Sequence, residues 1–268
     1  MSFKIAIGAG HSLYTAGKRT PDDEREWSFN DKIVVAFIKE MSKYEGVEIR
    51  RFDDPTGKID VPLITRTNNA NAWGADIYIS VHHNASTGRW GNWTGTETYT
   101  QTGVGGKALE LAKLVHPEIV KAYGLRDRGI KTANFHITRE TRMPAILLEN
   151  AFMDSRIDIL KMRDDRVLAN AGIGIANAVA KYANLKLKPI PTPQPKTEIK
   201  KQGGNRMLKL QDWQWRVIAD VLRDQHKDGI LSSPDWEVMA RNKELSVDES
   251  ILLIYATLGR NLDRLKGK

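Results

Sequence analysis

Two histidines and two carboxylates of this 268-residue chain occupy positions that are typical of catalytic side chains. They follow a glycine turn, open a helix or end an apolar run, and they are His11, Glu26, one histidine of the pair His82-His83, and Glu149. A catalytic zinc site uses three protein ligands of this kind and keeps a fourth position open. The remaining carboxylate can act as a general base toward the attacking water. The set therefore indicates metal-assisted hydrolysis.

Each of these residues also has an ordinary structural explanation. A histidine after Gly10 can be a turn residue, and Glu26 at a helix start can simply stabilise the helix dipole. Glu149 can be a paired structural carboxylate, although an acid at the end of a buried strand is unfavourable unless it has a partner or a role. The combination favours chemistry, because parallel strands would bring all four groups to one edge of a sheet.

The elements that must position these groups alternate between strands and helices. This order predicts an α/β fold with a central, largely parallel, twisted sheet flanked by helices. Apolar runs predict strands over Ile5–Ile7, Val47–Phe52, Ile77–Val81 and Ala145–Leu148, with further strands at Thr96–Thr100 and Asn134–Ile137. Amphipathic spacing predicts helices over Trp27–Tyr44, Pro62–Trp73, Lys107–Tyr123 and Val167–Ala183.

A proline-rich and lysine-rich segment divides the chain. Prolines alternate with other residues between 187 and 195, which prevents a helix or a central strand and predicts a semi-rigid linker. We therefore expect a catalytic domain at 1–184, a linker at 185–204 and a C-terminal domain at 205–268. Apolar spacing in Leu208–Arg223, a helix start at Pro234 and a capping pattern at Ser246–Glu249 predict a small all-α domain of three helices.

Composition excludes several classes of protein and partner. There are no cysteines, so disulfides and thiolate metal sites are excluded. Half of the net charge of +8 lies in residues 184–204, which argues against a folded nucleic-acid-binding face. No stretch is long enough to span a membrane, and the N-terminal apolar run is too short for a signal peptide. We expect no nucleic-acid partner, no membrane partner and synthesis in the cytoplasm.

Short motifs follow one another in order between about residues 3 and 183. They are Gly10-His11, Glu26 with Asn30, Leu63–Asn71, Ser80–Ala85, Gly95–Thr98, Leu125–Gly129 and Pro144–Glu149. The series resembles the amidase-3 family of N-acetylmuramoyl-L-alanine amidases, found in bacterial autolysins and phage endolysins. The resemblance implies that His11, Glu26 and His82 bind one Zn²⁺ ion. It also implies that Glu149 is the catalytic acid and base.

The reaction implied by the resemblance is hydrolysis of the peptidoglycan amide between N-acetylmuramic acid and L-alanine, which lyses the cell wall. Two alternatives remain open: a zinc peptidase acting within the stem peptide, and a nonenzymatic wall-binding protein. Without a signal peptide, the chain is expected to be a phage endolysin of a Gram-positive host. Such an enzyme stays in the host cytoplasm until a phage-made membrane pore releases it.

The sequence departs from the family pattern at two places. His11 is followed by Ser12-Leu13-Tyr14 instead of two glycines and an aspartate, so the loop beside the metal differs. His83 stands where the family has a small or apolar residue, and we expect it to face solvent. Glu24 competes with Glu26 as a ligand, but only Glu26 keeps the spacing to Asn30.

Substrate contacts are expected near the third ligand and in the C-terminal domain. Asn84, Trp90 and Trp93 are candidates for the glycan groove, although the tryptophans could equally pack within their own loop. In the C-terminal domain, helical spacing predicts Trp213 and Trp236 in the core. Trp215 then lies on another face, as a candidate contact with peptidoglycan or a secondary wall polymer.

The residues before Met207 suggest a second product of the same coding sequence. Gln202-Gly203-Gly204 can be written CAA-GGA-GGU, which contains the ribosome-binding string AAGGAGG two codons before the methionine. An internal start would produce the C-terminal domain as a separate fragment beginning at Met207. Self-association through this domain would then give one catalytic head several wall-binding units.

Overall fold

The computed structural model describes residues 2–103, 105–189, 210–227 and 235–245, apart from the side chains of Trp213 and Val217. The chain divides into two compact units, Met1–Ile190 and Pro191–Lys268. Most of the expected linker lies outside the described residues. The boundaries 1–184, 185–204 and 205–268 therefore stay predictions.

The first unit is an α/β layer structure, as the alternation of elements predicted. Its sheet has six strands in the order β2-β1-β3-β6-β4-β5, and every neighbouring pair is parallel except β4 with β6. The strands are β1 (Phe3–Ala9), β2 (Val47–Arg51), β3 (Ile77–Asn84), β4 (Thr96–Gln101), β5 (Asp127–Ala133) and β6 (Ala145–Phe152). The helices are α1 (Glu26–Met41), α2 (Leu63–Trp73), α3 (Lys107–Tyr123), α4 (His136–Glu140), α5 (Ile159–Met162) and α6 (Asp165–Tyr182).

The two faces of the sheet bury different sets of side chains, because successive residues of a strand point to opposite sides. On β3, Ile79 and Val81 pack into the larger core, which α1, α3 and α6 cover. Tyr78 packs into a smaller core beneath α2 and α4. His82 therefore belongs to the α2 and α4 face, while His83 belongs to the α1 and α3 face.

One predicted strand is wrong. Asn134–Ile137 was expected to be extended, but β5 ends at Ala133 and helix α4 begins at His136. The true strand is an edge strand that pairs only with β4 among the described strands, and most of its residues are at least partly exposed. An exposed edge strand needs few apolar residues, so β5 lacks the apolar pattern from which the other strands were predicted.

In the second unit the structure describes two of the three predicted helices, α7 (Asp212–Lys227) and α8 (Asp235–Arg241). Their common core contains Trp215, Ala219 and Leu222 of α7. The third predicted helix, after Ser246, lies outside the described residues. No helix in the described ranges is long and apolar enough to cross a membrane.

The expected orientation of Trp215 is wrong. Its side chain is only 3% exposed and lies inside the core, with Trp236 packed partly buried against it. Helix α7 carries two overlapping apolar stripes, and the structure buries the one formed by residues 215, 219 and 222. Because its side chain is buried, Trp215 is not available as a surface contact. The side chain of Trp213 lies outside the described part.

Candidate metal centre

Three of the four predicted site residues form one cluster beside the carboxyl ends of parallel strands β1 and β3. His11 follows β1, Glu26 begins α1 and His82 lies on β3. The Glu26 carboxylate is 3.4 Å from His11 Nε2 and 3.1 Å from His82 Nδ1. Within the described part of the chain, this is the group of histidine and acidic side chains whose spacing could hold a metal ion.

The end of β1 is shaped so that His11 can meet His82. A Cβ atom on Gly10 would lie 2.1 Å from the His82 ring, so only glycine allows this approach. His11 itself has a φ angle of 65°, in the left-handed region that few residues other than glycine adopt. Such a backbone must be held by its surroundings.

Arg66 of α2 holds this turn. Its buried guanidinium donates hydrogen bonds to the backbone oxygens of Ala9, at 2.7 Å, and of His11, at 3.3 Å. In the sequence, Arg66 stands out only as part of the helix motif Leu63–Asn71. An arginine in a helix with no other charged residue was the signal that could have marked it. Its partners in this turn could not be predicted, because they lie more than 50 residues away in the sequence.

Glu26 is almost fully buried, and its two carboxylate oxygens differ. Oε1 accepts hydrogen bonds from Asn30 Nδ2 at 3.3 Å and from the backbone N–H of His83 at 3.2 Å. Oε2 is buried and has no hydrogen-bond partner among the described residues. Burial would raise the pKa of Glu26, but the hydrogen bond from His82 and the neighbouring imidazoles lower it to about 2. Glu26 is therefore an anion with one oxygen available.

Both histidines of the cluster can present a lone pair. Burial lowers the pKa of His11 to about 4, although the charge of Glu26 opposes this, so His11 is neutral near pH 7. The His82 Nε2 atom lies 3.1 Å from Ser80 Oγ. In the tautomer with its hydrogen on Nδ1, His82 donates to Glu26 Oε1 at 3.1 Å. In the tautomer with its hydrogen on Nε2, it donates to Ser80 and presents the Nδ1 lone pair to a metal.

The cluster fits a zinc ion. Two ligand atoms that each lie about 2.0–2.1 Å from tetrahedral zinc are separated by about 3.3 Å. Each imidazole lies near this spacing from one oxygen of Glu26: His11 Nε2 is 3.4 Å from Oε2, and His82 Nδ1 is 3.1 Å from Oε1. One ligand atom from each of the three residues can be chosen so that all lie within 4.8 Å of one another. Neutral imidazoles with one carboxylate are also a ligand set that catalytic zinc uses.

Glu149 lies next to this cluster on β6, where its Cα pairs in register with that of His82. The side chain is half-buried, and its Oε2 is buried without a hydrogen-bond partner among the described residues. Burial, together with the negative charges of Glu26 and Glu97, raises the pKa of Glu149 well above its usual range. Such a carboxyl group binds a proton more readily than an ordinary glutamate, which suits a group that accepts a proton and later returns it.

Glu97 is a buried carboxylate close to Glu149, but its oxygens have charged and hydrogen-bonding partners. It lies opposite Glu149 on β4 and is also buried, but it pairs with Arg128 and, at 2.9 Å, with Lys131. The Tyr99 hydroxyl donates to it as well. The contrast with Glu149, whose Oε2 has no such partner, marks Glu149 as the group available for chemistry.

The expected position of His83 is wrong. Its side chain is not solvent-facing but only 2% exposed, on the face of the sheet opposite His82. Nδ1 lies 2.7 Å from Asn30 Oδ1, and Nε2 lies 2.7 Å from the Tyr123 hydroxyl. Burial lowers the pKa of His83 to about 3. It is therefore a neutral interior residue next in sequence to a candidate ligand.

The candidate substrate contacts lie in the loop after β3, which Asp154 organises. Its buried carboxylate accepts hydrogen bonds from the backbone N–H groups of residues 86–88 and, at 2.6 Å, from Trp93 Nε1. Trp90 packs partly buried against the larger core. Asn84 Oδ1 accepts from the backbone N–H of Ala85. Both tryptophans thus have contacts within the protein, and their contact with a glycan stays a prediction.

Proteins of similar sequence are named as amidases and as an endolysin. The sequence model of Amidase_3, described as N-acetylmuramoyl-L-alanine amidase, matches residues 5–181. The chain is 42% identical over 185 residues to the N-acetylmuramoyl-L-alanine amidase CwlM of Bacillus licheniformis, which covers 68% of this chain and 69% of that protein. It is 30% identical over 265 residues to the endolysin of Bacillus phage SPP1, covering 94% of this chain and 88% of that one.

A solved structure shares the fold of the first unit. The catalytic domain of CwlV, an N-acetylmuramoyl-L-alanine amidase from Bacillus (Paenibacillus) polymyxa var. colistinus, matches with a TM-score of 0.63 and 27% identity. The match covers 69% of this chain and all of that domain. The family match over residues 5–181, the identity to CwlM and this shared fold together show that the chain belongs to the Amidase_3 family of N-acetylmuramoyl-L-alanine amidases.

Proposed function

We propose that this protein is a zinc-dependent endolysin that hydrolyses the amide between N-acetylmuramic acid and L-alanine in peptidoglycan. One observation carries the proposal. His11, Glu26 and His82 lie close enough together to hold a metal ion, beside Glu149, whose buried Oε2 has no hydrogen-bond partner among the described residues. Three ligands and an adjacent base are the components of a zinc hydrolase.

The four residues have distinct roles in the proposed reaction. Zinc, when bound, would act as a Lewis acid that polarises the scissile carbonyl and activates water near neutral pH. His11, Glu26 and His82 would hold it. Glu149 accepts a proton from the water that attacks the lactyl carbonyl. It returns that proton to the nitrogen of L-alanine as the C–N bond breaks, so that an acid and an amine are released.

The endolysin part of the proposal rests on the extent of one relationship. The similarity to the phage SPP1 endolysin spans 94% of the chain and so includes the second unit. We propose that the second unit binds peptidoglycan or a secondary wall polymer of a Bacillus-like host. Synthesis in the host cytoplasm and release through a phage-made pore complete this hypothesis, as does self-association through the second unit.

Digestion of purified Bacillus walls tests the proposed bond. We expect new N-terminal L-alanine, no new reducing sugars, loss of activity with a chelator and recovery with Zn²⁺. New N-termini within the stem peptide would instead identify a peptidase. Wall binding without release of either group would identify a nonenzymatic wall-binding protein.

A further inference from the structure

His83 belongs to a buried chain of hydrogen bonds on the face of the sheet opposite His82. Its ring lies between Asn30 of α1 and Tyr123 at the end of α3, at 2.7 Å from each. All three side chains are at most 2% exposed. Buried polar groups are costly when unpaired, so these three side chains depend on one another for their partners.

The amide of Asn30 has only one orientation that satisfies its neighbours. Its Nδ2 lies 3.3 Å from Glu26 Oε1 and 3.3 Å from the backbone oxygen of Gly10. Both of these atoms can only accept hydrogen bonds, so the NH₂ group must face them. The Oδ1 atom then faces His83, and His83 Nδ1 must carry the hydrogen that it accepts.

The orientation of Asn30 sets the direction of the rest of the chain. A neutral imidazole with its hydrogen on Nδ1 offers Nε2 as an acceptor, and the Tyr123 hydroxyl donates to it. Burial raises the pKa of Tyr123 well above its usual value, which keeps this donor protonated. Hydrogen bonds thus run in one direction, from Tyr123 through His83 and Asn30 to Glu26.

We propose that His83 and Tyr123 are positioning residues that, through Asn30, hold Glu26 in the orientation that binds the metal. The proposal rests on the proposed zinc site. Without a donor at position 83, Asn30 Oδ1 becomes a buried acceptor that has lost its partner, and the amide can shift toward another donor. That shift would weaken its hydrogen bonds to Glu26 Oε1 and to the Gly10 carbonyl, and so disturb a ligand and the strand end that carries His11.

This arrangement explains an otherwise puzzling histidine. Position 83 is small or apolar in the pattern that the motifs resemble, and a leucine there would pack without any polar partner. Here the ring replaces apolar contact with a donor aimed at Asn30 and an acceptor aimed at Tyr123. Shells of this kind around metal ligands typically change metal affinity by about 10–100-fold when they are removed.

Zinc affinity of the full-length chain, measured by competition with a chromogenic chelator, tests the proposal. We expect His83→Leu to weaken binding by about tenfold or more, since it removes the donor to Asn30. His83→Asn keeps a donor near the position of Nδ1 and should recover part of the loss. Tyr123→Phe, which removes only a hydroxyl, should weaken binding by about threefold to tenfold.

Tyr78→Phe is the matched control. This tyrosine is equally buried, on the other face of β3, and its hydroxyl has no hydrogen-bond partner among the described residues. It should leave zinc affinity and the visible spectrum of the Co²⁺-substituted protein unchanged. Melting of the metal-free variants measures general destabilisation. A change in the Co²⁺ spectrum instead reports a specific effect on the metal ligands.

Three outcomes decide the matter. Wild-type protein that binds zinc while His83→Leu and Tyr123→Phe bind it equally well would overturn the positioning role and leave the proposed function intact. Wild-type protein that binds no zinc would overturn both. In ¹⁵N NMR of the imidazole, a hydrogen on His83 Nε2 instead of Nδ1 would overturn the direction of the chain independently of any metal.

Discussion

The two units of the chain differ in the buried polar groups that their described residues contain. The first unit surrounds a six-stranded sheet with two apolar cores, and yet one buried oxygen of Glu26 and one of Glu149 accept no hydrogen bond from the residues that the structure describes. In the second unit, the described helices α7 and α8 bury one small cluster around Trp215. Among the described residues, those helices contribute nothing to a group that could hold a metal.

The proposed function assigns chemistry to the first unit and attachment to the second. Unpaired buried carboxylate oxygens destabilise a fold unless a ligand satisfies them, so they mark the place where a ligand is expected. Among the described residues of the second unit, the apolar side chains Val221 and Val238 are about half exposed. The following predictions test this division of roles, beginning with the largest effect.

Loss of a candidate ligand should abolish the function of the first unit entirely. In His82→Ala and His11→Ala we expect zinc content to fall from about one ion per chain to near zero, with amidase activity at background, because three ligands are the minimum of a catalytic site. Elemental analysis and wall digestion measure this. His136→Ala, a histidine outside the cluster, should keep its zinc. Full zinc occupancy in either ligand variant would contradict the assignment.

Replacing the proposed base should separate chemistry from metal binding. We expect Glu149→Gln to lower the rate of wall hydrolysis by about 10²–10⁴-fold, the usual contribution of a positioned base, while zinc content stays unchanged. The metal-free variant should melt no lower than wild type, because the change removes a charge that repels Glu26 and Glu97. Near-normal lytic activity would show that Glu149 has a different role.

Removal of the second unit should reduce activity only on whole walls. A chain ending at residue 190 is expected to digest intact walls about tenfold or more slowly, because attachment no longer raises the local concentration of the enzyme. Turnover of a soluble muramoyl peptide is the control and should be unaffected. An equal loss on both substrates would mean that the second unit stabilises the enzyme instead of binding the wall. A fluorescent fusion of residues 205–268 should label the same walls.

The smallest effect concerns the composition of the complex and not the rate of each catalytic head. If translation also begins at Met207, expression from the native coding sequence should yield a second polypeptide of residues 207–268. Mass spectrometry of the purified protein detects it. Synonymous recoding of Gly203 and Gly204 should remove the fragment without changing the full-length chain. A fragment that persists after recoding would refute the internal start, as would its absence from wild type.

Local patterns in the sequence were reliable where burial alone determines the residue type. Helix Lys107–Tyr123 was predicted with the bounds that the structure has, since its apolar spacing faces a deep core. The edge strand Asp127–Ala133 was missed because an edge needs few apolar residues. Trp215 was placed on the wrong side of α7, because two overlapping stripes satisfy the same helical spacing and only packing chooses between them.

The sequence by itself determined the α/β class, the family and the four residues proposed to carry the chemistry, because ordered motifs and strand periodicity are local properties. Only the tertiary structure decided which polar atoms have partners. The two contacts of His83 come from residues 53 and 40 positions away, and those of Arg66 with the His11 turn come from more than 50 positions away. Hydrogen-bond partners depend on three-dimensional proximity, which no local pattern records.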